Sequence, residues 1–149
     1  MPSDMTTDLP LSIPAGTTIV PGSGSDSTNG YANDYSGSCS FPPGGPDRVY
    51  AVTPTASGNL TVSIGYAADG TTDICAVNVN DPGCWDRVIY ARTSCTDAAT
   101  ELACGDLGAF NVEKITFAVT AGTTYYVFVD GYDDQYYSAG PYNLVFKLQ

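Results

Sequence analysis

Five cysteines and sixteen carboxylates carry the chemistry of this 149-residue chain, and histidine is absent. The cysteines stand at 39, 75, 84, 95 and 104, with Cys75 and Cys84, then Cys95 and Cys104, each nine residues apart. Short polar loops closed by Cys suit an oxidising compartment. The spacing is not that of a CxxC knuckle, and no His completes a zinc site. We read Cys75–Cys84 and Cys95–Cys104 as disulfides with Cys39 left over, or with Cys39 displacing one of those partners. Without His the Ser–His and Cys–His nucleophile pairs are excluded. Two of the acids could serve glycoside hydrolysis, but no spacing singles out a pair. The expectation is a protein that is not an enzyme.

Fourteen of the sixteen acids are Asp, the exceptions being Glu101 and Glu113. Asp forms turns and binds hard cations, and it is poor in strands. The acids are therefore expected in loops, most as a solvated surface and a few converging on Ca²⁺. Asp130, Asp133 and Asp134 (DGYDD) lack EF-hand spacing and read as a plain loop. The net charge is −11, with only five basic residues. That excludes nucleic acid and disfavours an anionic membrane surface. Tyr132, Tyr136 and Tyr137 share the acidic loop, and Trp85 lies in another. Exposed, these aromatics offer contact area to a sugar, collagen or protein ligand; folded back, they cover a sheet edge. Tyr125 and Tyr142 read as packing.

Strands must position these groups. Ile115, Phe117 and Val119 alternate with polar neighbours. Tyr125 to Val129 follows a Gly-containing turn, and Tyr142, Leu144, Phe146 and Leu148 alternate again. Period two with β-branched and aromatic residues means half-buried strands. Further strands are expected at 48–53, 59–65, 73–79 and 86–93, with one helical turn inside 95–104. Seven strands, rising to eight or nine with the N-terminal pieces, predict an all-β antiparallel sandwich. Leu9 to Pro14 reads as extended, Thr17 to Val20 as a short strand, and 22–30 as a Gly/Ser linker. Residues 1–30 are thus expected as an extended tail and linker, and 31–149 as the sandwich. No stretch has the length of a membrane-spanning helix. Met1-Pro2-Ser3-Asp4 does not open a signal peptide, so export would need a signal already removed.

The order of motifs resembles the bacterial pre-peptidase C-terminal domain, whose relatives include collagenase collagen-binding domains. It is carried by Asn33-Asp34-Tyr35, Gly45-Pro-Asp-Arg-Val-Tyr-Ala-Val-Thr53, Ser57-Gly-Asn-Leu-Thr-Val62 and Asp86-Arg-Val-Ile-Tyr-Ala-Arg92. Glu101-Leu-Ala-Cys-Gly-Asp106, Thr120-Ala-Gly-Thr-Thr-Tyr-Tyr-Val127 and Gly140-Pro-Tyr-Asn-Leu144 continue it. The resemblance implies a jelly-roll-like, secreted, non-catalytic module that binds substrate or stabilises a parent protein. It also implies Ca²⁺ where the linker meets the sandwich, held by Asn33, Asp34, Asp47 and Asp106. The linker lacks the Glu residues that Ca²⁺-binding relatives place before Asn-Asp, and the Cys75–Cys84 hairpin reads as an insertion. The alternative is a self-assembling subunit of an extracellular fibre or surface layer. Its N-terminal strand would then add to a neighbouring copy.

Overall fold

The computed structural model describes residues 10–20, 28–42, 44–65, 84–107, 112–133 and 139–149. The expected strand at 73–79 lies outside them. Nine strands run in order: β1 (Leu11–Ile13), β2 (Gly16–Val20), β3 (Arg48–Pro54), β4 (Gly58–Gly65), β5 (Arg87–Arg92), β6 (Glu101–Gly105), β7 (Glu113–Val119), β8 (Tyr125–Gly131) and β9 (Asn143–Leu148). They form a five-stranded sheet, β1-β3-β8-β5-β6, and a four-stranded sheet, β2-β9-β4-β7. The all-β sandwich read from the sequence is the fold. A 3-10 turn at Ala98–Thr100 sits where one helical turn was expected, its start held by Asp97 accepting from the Ala99 N–H at 2.9 Å.

Alternation decides what fills the sandwich. In β7, Glu113, Ile115, Phe117 and Val119 are buried while Lys114, Thr116 and Ala118 are exposed. Between the sheets those apolar residues meet Tyr50, Val52, Leu60, Val62, Ile64, Ile89, Val127, Val129, Leu144, Phe146 and Leu148. At roughly 25 cal/mol per Å² of apolar area, this shared core is the main stabilising term.

The closing strands do not pair in sequence: β7 and β9 lie in the four-stranded sheet, and β8 lies in the other. The turn at Ala121-Gly122, with Gly122 at φ 76°, is an arch between sheets, and the Gly122 N–H bonds to Pro54 O at 2.9 Å. Turn chemistry fixes the reversal but not the partner; β4 takes the edge of β7 over seven residue pairs from Gly58↔Val119 to Ile64↔Glu113. The N-terminal strands also belong inside the domain. β1 pairs parallel with β3, and β2 pairs antiparallel with β9 from Gly16↔Leu148 to Val20↔Leu144. Ile13 is fully buried in the core. The strands that the fibre alternative would add to a neighbouring copy pair here with strands of their own chain.

Candidate functional site

The two outer faces of the sandwich differ. On the five-stranded sheet, Val49, Val88, Tyr90 and Phe128 form a second apolar cluster with Cys95. Residues 35–39, within the segment that leads from Thr28 to Asp47, lie over it. Thr28 anchors one end, donating its N–H to Gly140 O at 3.2 Å and accepting the Gly140 N–H on Oγ1 at 3.1 Å. Tyr35 meets Phe128 edge-on at 5.1 Å. Gly37 sits so close to Tyr90 that a Cβ there would lie 2.6 Å from its ring, which only glycine avoids. Arg92 stacks on Tyr90 and Phe128 and donates from Nη2 to Ser36 O at 2.6 Å. Ser38 bonds to the Glu101 carboxylate through both its N–H and its hydroxyl.

A disulfide between Cys39 and Cys104 locks this cover to β6, and Cys95 is a buried free thiol. The expected Cys95–Cys104 bond is thus corrected. The nine-residue loop is closed instead by β5–β6 pairing, and Cys104 points to the outer face where Cys39 arrives. Cys84 is disulfide-bonded, while Cys75 lies outside the described residues.

Of the four expected metal ligands, Asp47 lies under the cover, while Asn33 and Asp34 are exposed and reach the same stretch through single hydrogen bonds. Asp47 is fully buried, and its Oδ2 accepts the N–H groups of Asp34 and Tyr35 at 2.9 and 3.0 Å. Asn33 donates from Nδ2 to Gly44 O at 3.0 Å. Asp106 does not join them. It follows β6, three strand spacings from Asp47 in the order β3-β8-β5-β6, about 14 Å at ~4.8 Å per strand. Its electrostatic neighbours are Asp86 and Glu113.

The carboxylate beside Asp47 is Asp130, which the sequence reading assigned to a plain loop. It lies in β8, fully buried, with Oδ2 accepting from the Tyr90 hydroxyl at 3.2 Å. A signal for it existed: it continues the outward phase of Tyr126 and Phe128. Burial, then the negative Asp47, push its pKa up to about 8, against the Tyr90 hydroxyl and the N–H groups of Gly131 and Gly45. Its Oδ1 has no well-formed hydrogen bond. Gly44, at φ 81°, brings its backbone against this carboxylate, where a Cβ would stand 3.4 Å from Oδ1. Two buried carboxylates beside irregular backbone fit a hard cation in donor chemistry. Among the described residues, however, no group of three or more Asp, Glu, Cys or His gathers to hold a metal.

The aromatic candidates divide. Trp85 is buried, donating from Nε1 to Pro141 O at 2.7 Å against Tyr142, so its expected ligand role is corrected: the indole closes the end of the core. Tyr132 is half-buried beside Phe41, with ring centroids 6.2 Å apart. Tyr136, Tyr137 and Asp134 lie outside the described residues. Tyr125 and Tyr142 pack in the core, as expected.

The outer face of the four-stranded sheet is open. A groove of about 440 Å³ runs over it, lined by Thr17, Thr61, Ser63, Lys114, Val145, Lys147 and Gln149. Register places Thr17, Lys147, Thr61 and Thr116 in one row across the strands, and Val145, Ser63 and Lys114 in the next. The Thr61 and Thr116 hydroxyls bond at 2.8 Å. The sequence reading passed over this face because its residues looked like the plain polar side of half-buried strands.

No family model and no characterised protein matches the sequence. Among solved structures, a periplasmic lysozyme inhibitor of g-type lysozyme from Aeromonas hydrophila is similar over 93% of this chain and 96% of its own, at 14% identity and TM-score 0.49. A CBM35 from Cellvibrio japonicus is similar over 89% of this chain and 86% of its own, at 17% identity and TM-score 0.40. Similarity at this level carries no residue roles across. No helix among the described residues is long and apolar enough to cross a membrane.

Proposed function

We propose that this chain is a non-catalytic binding module of an oxidising, extracellular compartment, presenting the open face of its four-stranded sheet to a ligand. The observation that carries this is the asymmetry of the sandwich. One outer face carries a covering segment tied down by the Cys39–Cys104 disulfide; the other is grooved and hydroxyl-lined. The disulfide supports the compartment, since such bonds persist where thiols are not kept reduced. The absence of His supports a non-catalytic role. The known-protein likenesses, one named a lysozyme inhibitor and one a CBM35, accord with a binding role without adding to the argument.

The test is affinity electrophoresis and pull-down against a panel of neutral and acidic polysaccharides, collagen and lysozyme. Thr61→Tyr serves as the groove-filling variant, because Tyr suits an exposed strand. Binding to one panel member, lost in the variant, supports the reading. Binding that survives the variant, or binding to none, contradicts it.

The resemblance to pre-peptidase C-terminal domains supports a Ca²⁺ ion at the linker junction, with Asn33, Asp34 and Asp47 joined by Asp130 in place of Asp106. A cation there would relieve the repulsion between the two buried carboxylates. Ca²⁺ at saturation should then raise the melting temperature relative to chelator, because a ligand that binds only the folded state stabilises it. Asp130→Asn should abolish the rise. An unchanged melt for the wild-type chain would remove Ca²⁺ from the account.

A further inference from the structure

Positive charge is scarce in this chain and unevenly placed. Of the five basic residues, Arg48, Arg87 and Arg92 are buried. Arg48 and Arg92 lie over aromatic rings beneath or beside the cover. The two that remain, Lys114 and Lys147, are exposed, and both line the groove on the four-stranded sheet. No acid among the described residues lines it with them. Both exposed Lys side chains of a chain with net charge −11 therefore stand on one face, among hydroxyls.

Register fixes their relation. Lys147 is opposite Thr61 and Lys114 is opposite Ser63, on the two strands flanking β4. Two strand spacings and two residues of rise put their Cα atoms about 12 Å apart. Thr17, Thr61, Ser63 and Gln149 stand around them, each able both to donate and to accept. Among the described residues, no aromatic side chain lines the groove and Val145 is its one apolar residue. A protein partner would want a buried aromatic or Arg anchor at the centre of its interface, and none is here. A single small anion would leave one ammonium unused.

We propose that the groove binds an acidic polysaccharide, a chain of hydroxyl-bearing sugars with carboxylates recurring along it. This rests on the binding-module reading and names its ligand class. The sugar hydroxyls exchange hydrogen bonds with the Thr, Ser and Gln side chains. The carboxylates pair with Lys114 and Lys147.

The experiment is affinity electrophoresis of the full chain in polygalacturonate, in its fully methyl-esterified form and in polyglutamate, at physiological salt. Polygalacturonate should retard the protein, and neither of the other polymers should. K114Q/K147Q should weaken the retardation at least tenfold with an unchanged melting temperature, and K114R/K147R should keep it. Equal retardation by the methyl ester, lost in Thr61→Tyr but kept in K114Q/K147Q, overturns the acidic ligand while leaving the groove as a binding face. Equal retardation by polyglutamate overturns the sugar class. Retardation that survives both K114Q/K147Q and Thr61→Tyr, or none at all, overturns the proposal outright.

Discussion

At the scale of single residues, burial explains what composition could not. Asp is rare in strands, so a reading from propensity sends all fourteen Asp residues to loops. Asp130 escapes that rule within β8, because the Tyr90 hydroxyl donates to it. No local pattern encodes a partner forty residues away. Glu113 makes a second case. It continues the inward phase of Ile115 and Phe117, so its burial was legible, but its consequence was not. Burial, with Asp106 and Asp86 nearby, raises its pKa to about 7 against the opposing Leu107 N–H and the Arg87 charge. Asp86 is raised to about 6 by burial and by Asp106 and Asp133, against Arg87. Groups with raised folded pKa values contribute stability that is whole below their unfolded values and is lost as pH rises through the folded ones. The melting temperature should therefore fall between about pH 4 and pH 7 on account of these two groups. Glu113→Gln should flatten that slope and raise stability at pH 8 by on the order of 2 kcal/mol. A slope unaltered in the variant would show that Glu113 is not its source.

At the scale of elements, strands that bury one face announced themselves, and their partners did not. β3, β4, β5, β7, β8 and β9 all stand close to where period two places them. β6 was missed because Glu101-Leu-Ala-Cys-Gly105 is short and carries one exposed Leu. Its importance comes from Cys104. Segment 28–47 has too little apolar pattern to declare a fixed path, and the bond to Cys39 supplies one. Closing a loop of 65 residues removes unfolded-state entropy worth about 4 kcal/mol. Cys39→Ala should cost that order of stability in denaturant unfolding, with the cover loosened from Tyr90 and Phe128. Peptide mapping without reduction should recover Cys39 linked to Cys104, and Cys95 as an alkylated thiol. A Cys95–Cys104 link would refute this arrangement of the cover.

At the scale of the whole molecule, the two outer faces differ. The cover, the buried arginines and the paired N-terminal strands serve the interior. The face proposed for another molecule is the hydroxyl and lysine face of β2, β9, β4 and β7. The paired β1 and β2 predict that the full chain elutes as a monomer in size-exclusion chromatography. The central claim, that this face is where a ligand sits, is tested most directly by amide chemical-shift mapping with oligogalacturonate. The account predicts shifts concentrated at Thr17, Thr61, Ser63, Lys114 and Lys147. Shifts concentrated on segment 28–47 or around Asp86, Asp106 and Asp133, with these five residues unmoved, would contradict it.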